Sequence, residues 1–115
     1  MEKEFVPYEL AVKLKELGFD EPCLDKYDPR FEKLSSNMET WSNEYYPENL
    51  MTPAPLFQQA FRWFRKKYKV HSSPKKYDET KWWIEWGTWT SPVFETFEEA
   101  ELAWLNKLIE IVENI

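Results

Sequence analysis

His71 is the one histidine in the sequence, and it stands beside Ser72 and Ser73 with no second histidine or cysteine near it. A metal site or a general-base pair needs such a partner, and successive residues on a strand point to opposite faces, so His71 reads as a surface or structural side chain. Cys23, the only cysteine, follows Pro22 and has no basic neighbour close in sequence to stabilise a thiolate; it reads as a small, inert hydrophobe. Carboxylates are plentiful, but Glu98, Glu99 and Glu101 are accounted for by the positive end of a helix, and Glu85 by a solvated strand face. Two glycines in the whole chain cannot build a phosphate-cradling loop. No catalytic residue, metal ligand or cofactor site is expected, and a hydrolase centred on His71 is the weakest of the readings weighed.

What remains is a pattern of charge. Residues 1–56 hold 6 basic and 12 acidic side chains, residues 57–81 hold 8 basic against Asp78 and Glu79, and residues 82–115 hold Lys107 against 7 acids. A basic block thus lies between two acidic ones. Arg62, Arg65, Lys66 and Lys69 fall along one side of a helical stretch, and Trp82, Trp83, Trp86 and Trp89 follow directly on a strand. Cations pair with phosphates and flat rings stack on bases, which together suit an anionic nucleotide or a single strand. The competing reading is internal compensation, with the basic helix facing the acidic ones and the tryptophans filling the core.

The chain has 115 residues, the size of one domain, and one domain spanning 1–115 is expected. The aromatic share is 18% with seven tryptophans, more rings than such a core needs, so some are expected at the surface as contact sites. One cysteine excludes an internal disulfide and suits a cytoplasmic setting. No apolar run nears the roughly 20 residues of a membrane span, and Met1-Glu2-Lys3-Glu4 is acidic where an export signal is basic. A net charge of -6 argues against duplex DNA as a partner.

The elements that must position these residues follow from periodicity. Pro7 with Leu10, Leu14 and Leu17 predicts a first helix over 7–17, closed by Gly18 in a left-handed turn with Phe19 folding back near Leu14. Residues 20–53 lose all period and read as a long, aromatic-rich loop, broken by a short helix around 29–34. Thr52-Pro53-Ala54-Pro55 is expected to open a second helix, with Phe57, Ala60, Phe61, Phe64 and Tyr68 buried and Trp63 on another side. Residues 69–73 read as a short strand and 81–90 as a strong one, alternation placing Trp82, Ile84 and Trp86 on one face and Trp83 and Glu85 on the other. Gly87 marks a bend, and Pro92 limits 93–95 to an edge. Thr96-Phe97-Glu98-Glu99 is a capping box for a third helix buried through Ala100, Trp104, Leu105, Leu108, Ile109 and Val112. The expected fold is α+β: three helices on a two- or three-stranded antiparallel sheet, in the order helix, long loop, helix, strands, helix.

Three stretches carry a resemblance: Glu4-Phe-Val-Pro-Tyr-Glu-Leu-Ala through Gly18-Phe-Asp-Glu-Pro-Cys23, Gln59-Ala-Phe-Arg-Trp-Phe-Arg through Tyr68, and Phe97-Glu-Glu-Ala-Glu-Leu-Ala through Leu108-Ile-Glu-Ile-Val112. They resemble a family of short uncharacterised proteins of Bacteroides-type bacteria and their phages and mobile elements. The segment from Asp25 to Leu50 and the tryptophan strand lie outside the resemblance. It implies provenance rather than chemistry: a phage or mobile-element accessory protein acting in the host cytoplasm, with a counter-defence role by analogy.

The expected function is a small non-enzymatic binding protein that sequesters an anionic, nucleotide-like ligand on Arg62, Arg65, Lys66, Lys69, Trp82, Trp83, Trp86 and Trp89. The alternative is an inhibitor of a host protein, docking through the aromatic loop at Tyr27, Trp41, Tyr45 and Tyr46 and through the acidic faces. Leftover apolar surface leaves a homodimer open, though no heptad specifies one.

Overall fold

The computed structural model describes residues 4–37 and 50–115. The fold is α+β, with three helices and small antiparallel sheets, and the chain divides by its internal packing into two units, Met1–Ala60 and Phe61–Ile115.

In the first unit, helix α1 (Tyr8–Glu16) is preceded by Pro7, whose carbonyl accepts the first two helical bonds, from the Leu10 and Ala11 amides; proline is the N-cap and not the first helical residue. The stop is a Schellman motif: the Phe19 amide donates to the Leu14 carbonyl at 2.9 Å and the Gly18 amide to Lys15 at 3.0 Å, with Gly18 at φ 102. Leu10, Ala11, Leu14 and Phe19 are buried.

The predicted loop at 20–53 contains a sheet. Strands β1 (Asp25–Asp28), β2 (Lys33–Leu34) and β3 (Thr52–Ala54) are antiparallel in the order β2-β1-β3, with Tyr27 opposite both Leu34 and Thr52. Asp-Lys-Tyr-Asp carries no β-branched residue and two turn-formers, so β1 owes its conformation to its neighbours and not to propensity. The expected helix at 29–34 is a turn between β1 and β2 instead, and Ser35–Asn37 forms a single 3-10 turn. Thr52, Pro53 and Ala54, expected at a helix start, form β3, against which α1 packs. Phe5 bridges Leu56 and the Val6 amide donates to Pro55, so the N-terminal segment lies antiparallel to the chain that leaves β3.

Helix α2 (Phe57–Tyr68) begins in the first unit and continues into the second. Phe57, Ala60, Phe61 and Phe64 are buried as expected, while Tyr68 is half-buried. Trp63, expected elsewhere, is also buried at 6% exposure, set edge-on to Phe64 and Tyr68 and roofed by the Lys67 ammonium 5.1 Å from its ring centre. The helix ends with Lys69 in the left-handed region at φ 60.

The expected strand at 69–73 is an irregular connection. The Ser72 hydroxyl donates to the Glu85 carbonyl, and the Trp104 indole N–H to the Ser72 carbonyl. With its backbone carbonyl engaged by an indole, this segment is tied by side chains in place of a ladder. Pairing starts later, at β4 (Lys75–Lys76) with β5 (Trp82–Trp83). The single strand expected at 81–90 is broken at Ile84, whose amide donates to the Ser91 hydroxyl at 2.8 Å and whose carbonyl accepts from the Ser91 amide. Beyond the break, β6 (Glu85–Trp86) turns back on β7 (Trp89–Thr90). Strict alternation therefore does not run through: Ile84 is fully buried, Trp82 half-buried, and Trp86 37% exposed. At 93–95 the chain makes only an isolated bridge, Phe94 with Trp82.

Trp86 and Trp89 pair across a two-residue turn, Gly87-Thr88, with positive φ at Gly87 (59) and not at Thr88. That is the II′ pattern, which asks for glycine first. Nothing lies within 4 Å of a Cβ built at Gly87, so Gly87→Ala is expected to lower stability by about 1–2 kcal/mol through backbone strain alone, read by thermal denaturation.

Helix α3 (Phe97–Glu113) starts where the capping signal puts it, the Glu99 amide donating to Thr96 Oγ1 at 3.1 Å. The reciprocal bond, from the Thr96 amide to the Glu99 carboxylate, is not made. All six expected core residues of α3 are buried, and so is Glu101, one of the acids assigned to the positive end of this helix. Helix α3 packs against β5.

Candidate functional site

All the expected ligand-binding residues fall in the second unit. Arg62, Lys66 and Lys69 are exposed, Arg65 is half-buried, and none of the four pairs with a carboxylate among the described residues. Nor does any of them stack on an indole of 82–89. The cations that do meet rings are others: Lys76 lies 5.7 Å from the Trp82 centre, Lys107 4.9 Å from Trp89, and Lys67 on Trp63 as above. Trp82, Trp83 and Trp89 are half-buried.

The β4–β5 ribbon sorts its residues onto two faces. Lys76 is opposite Trp82 and Lys75 opposite Trp83, and cross-strand partners share a face while successive residues alternate. One face thus carries Lys76 and Trp82, and Trp82 turns its edge to Phe97 in the first turn of α3, ring centres 4.9 Å apart. This is the inner face. The other carries Lys75 and Trp83; the Tyr77 amide donates to the Lys81 carbonyl, extending the register, so Tyr77 and Lys81 join it. Tyr77 meets Trp83 edge to face at 5.1 Å and is itself 54% exposed. The 77–81 turn is held by Asp78, which accepts from the Thr80 amide at 2.8 Å and its hydroxyl at 3.2 Å; those bonds, the amide first, hold the Asp78 carboxyl below its ordinary pKa. Lys75, Tyr77 and Lys81 were missed because the strand was read at 69–73, six residues early; Lys75 and Lys81 had registered only as part of the basic block.

In the separate β6–β7 pair, Trp89 stacks on Trp104, ring centres 6.1 Å apart at 22°. One flank of Trp89 is therefore committed to the core.

In the first unit, a cleft of about 420 Å³ is lined in part by Cys23, Leu24, Asp25, Ser35 and Met51. Burial and then the Glu21 charge push the Cys23 thiol up to about 11, which disfavours the thiolate at neutral pH. Burial pulls Asp25 upward, but the Ser36 and Ser35 hydroxyls and the Lys26 and Ser36 amides outweigh it and leave its pKa below normal. An ionised carboxylate already accepting four donors is a structural anchor. His71 is exposed, and the Ser72 hydroxyl beside it is occupied by the Glu85 carbonyl. Among the described residues no group of three His, Cys, Asp or Glu could hold a metal, and no helix is long and apolar enough to cross a membrane.

Of the residues in the alternative, protein-docking reading, Tyr27 is only 8% exposed: its hydroxyl donates to the Val6 carbonyl at 2.7 Å and its ring meets Tyr8 edge-on at 5.4 Å. Tyr27 is a core residue and offers no partner a surface. Trp41, Tyr45 and Tyr46 lie outside the described residues.

Fold and surface together define a small α+β protein with a cation- and indole-bearing second unit. Compared with known protein families, curated proteins and solved structures, the chain matches none.

Proposed function

We propose that this chain is a non-catalytic binding protein whose second unit captures an anionic, base-bearing ligand of nucleotide type. The observation that supports it is the set of cations left without acidic partners: Arg62, Arg65, Lys66, Lys69 and Lys75 form no ion pair among the described residues, on the unit that holds every described tryptophan. Internal compensation, the rival explanation of the basic block, requires such pairs. Unpaired cations supply phosphate contacts and partly exposed indoles supply stacking, and one ligand class uses both.

Intrinsic tryptophan fluorescence tests the reading, because the reporters sit where the ligand is expected. Titration with a panel of mononucleotides and oligonucleotides should give saturable quenching by at least one member. The triple variant Arg62→Glu, Arg65→Glu, Lys66→Glu should weaken that binding at least tenfold while the circular dichroism spectrum is unchanged. Flat curves across the whole panel with folded protein would remove the proposal.

A further inference from the structure

We propose that the outer face of the β4–β5 ribbon, formed by Lys75, Tyr77, Lys81 and Trp83, is a stacking platform for a single nucleic-acid strand. This rests on the nucleotide-ligand reading above and narrows it to one surface and one form of ligand.

The two faces of the ribbon are built for different purposes. On the inner face Trp82 meets both a ring and a cation of the protein, Phe97 and Lys76. On the outer face Trp83 and Tyr77 meet edge to face, Tyr77 is 54% exposed, and among the described residues no cation lies over either ring. A T-shaped pair presents the face of one ring beside the edge of the other, and a base can stack on that face. Lys75 stands directly across from Trp83, and Lys81 two residues before it on the same strand. Lys75 has no carboxylate partner among the described residues, and Asp78, whose charge acts on Lys81, forms its hydrogen bonds with the Thr80 amide and hydroxyl and makes no salt bridge to the Lys81 ammonium. Two ammonium groups therefore flank two rings on one side of a ribbon.

The shape selects the form of ligand. Strands of two residues each make a short, narrow platform, whereas a free mononucleotide needs a concavity that buries most of its surface. A strand tolerates an open platform because successive bases and phosphates each add a contact. Duplex DNA keeps its bases stacked on one another and offers these rings no face, and the chain's net charge of -6 opposes the long basic contact a duplex rewards.

The experiment measures fluorescence anisotropy of a labelled 15-nucleotide oligo-dT, the same strand annealed to its complement, and unlabelled mononucleotides as competitors, over a salt series. The single strand should bind. Trp83→Ala should weaken it roughly tenfold or more, with Trp83→Phe recovering most of the loss because a ring is restored. Lys75→Ala with Lys81→Ala, whose ammonium groups form no hydrogen bond or salt bridge among the described residues, should reduce the magnitude of the log K against log salt slope by about 1.4, about 0.7 per phosphate contact. Lys13→Ala, on α1, should change nothing. Strand binding that ignores both the Trp83 and the lysine variants overturns the platform, and so does a duplex that binds as tightly as the strand. Quenching by mononucleotides without strand binding overturns this inference and leaves the broader proposal standing. Silence from every nucleic-acid ligand overturns both.

Discussion

Trp104→Ala should lower stability by about 4 kcal/mol, the largest effect expected of any single substitution in the second unit. The side chain is 1% exposed, so its whole surface is returned to a cavity when it is truncated. Two further losses add to the transfer cost. The Ser72 carbonyl, which accepts the indole N–H at 3.0 Å, loses that donor in a partly buried setting. Trp89 loses the ring it stacks on, and with it the platform that holds it beneath Lys107. Trp104→Phe keeps the volume in part and the stacking, but not the hydrogen bond, and should cost about half as much. Thermal unfolding should show a drop of roughly 15 °C for the alanine variant. Because every described tryptophan lies in the second unit, the fluorescence transition should move at least as far as the circular dichroism transition. A shift of only a few degrees would mean that the α3 core does not depend on this ring.

Asp28→Asn should cost about 3 kcal/mol in the first unit. Asp28 is 1% exposed at the end of β1, where its Oδ1 accepts from the Arg30 amide at 2.9 Å and from Arg30 Nε at 3.1 Å, and its Oδ2 from the guanidinium at 2.7 Å. The Asp28 carbonyl also receives the Phe31 and Glu32 amides, and Glu32 sits at φ 56. One residue thus closes the hairpin between β1 and β2 with both its carboxylate and its backbone. The amide removes the charge that holds Arg30 and leaves at most one of these acceptors. The hydrogen bonds from Arg30, ahead of any other cause, hold the Asp28 carboxyl below its ordinary value of 3.8. A carboxyl whose folded pKa is depressed contributes its full stability above the unfolded value, and the contribution is lost as pH falls through the folded one. The wild-type chain should therefore lose stability as pH drops below about 4, and Asp28→Asn should flatten that part of the curve. Urea titrations followed by circular dichroism from pH 7 to pH 2.5 provide the check; an unchanged acid limb in the variant would shift the role to Asp25, whose pKa is also lowered.

The parts of the fold legible in the sequence are those whose signal is local. Helix α3 shows this most clearly: Thr96 caps it, its six apolar positions recur at helical spacing, and all six are buried. The Gly18–Phe19 stop of α1 is equally local, since a positive φ and a back-folding amide involve residues within one turn. The strands β1, β2 and β3 were not legible, because Asp-Lys-Tyr-Asp becomes a strand only when Leu34 and Thr52 arrive on either side of Tyr27. Likewise Trp63 was placed away from the buried stripe of α2 by angle alone, yet it is buried, against Phe64 and Tyr68 and under the Lys67 ammonium.

The candidate site divides in the same way. The coincidence of a basic block with a tryptophan-rich segment was determined by the order of residues, and so was the absence of a second histidine or cysteine for chemistry. Which cation meets which ring was decided by the break at Ile84, where the Ser91 hydroxyl replaces a strand partner, and by a register that sets Lys76 against Trp82 and Lys75 against Trp83. Composition and helical period act over a few residues and can be read from them directly; a strand's two faces are assigned only when a distant partner fixes the register, because a slip of one residue exchanges every inward side chain for an outward one.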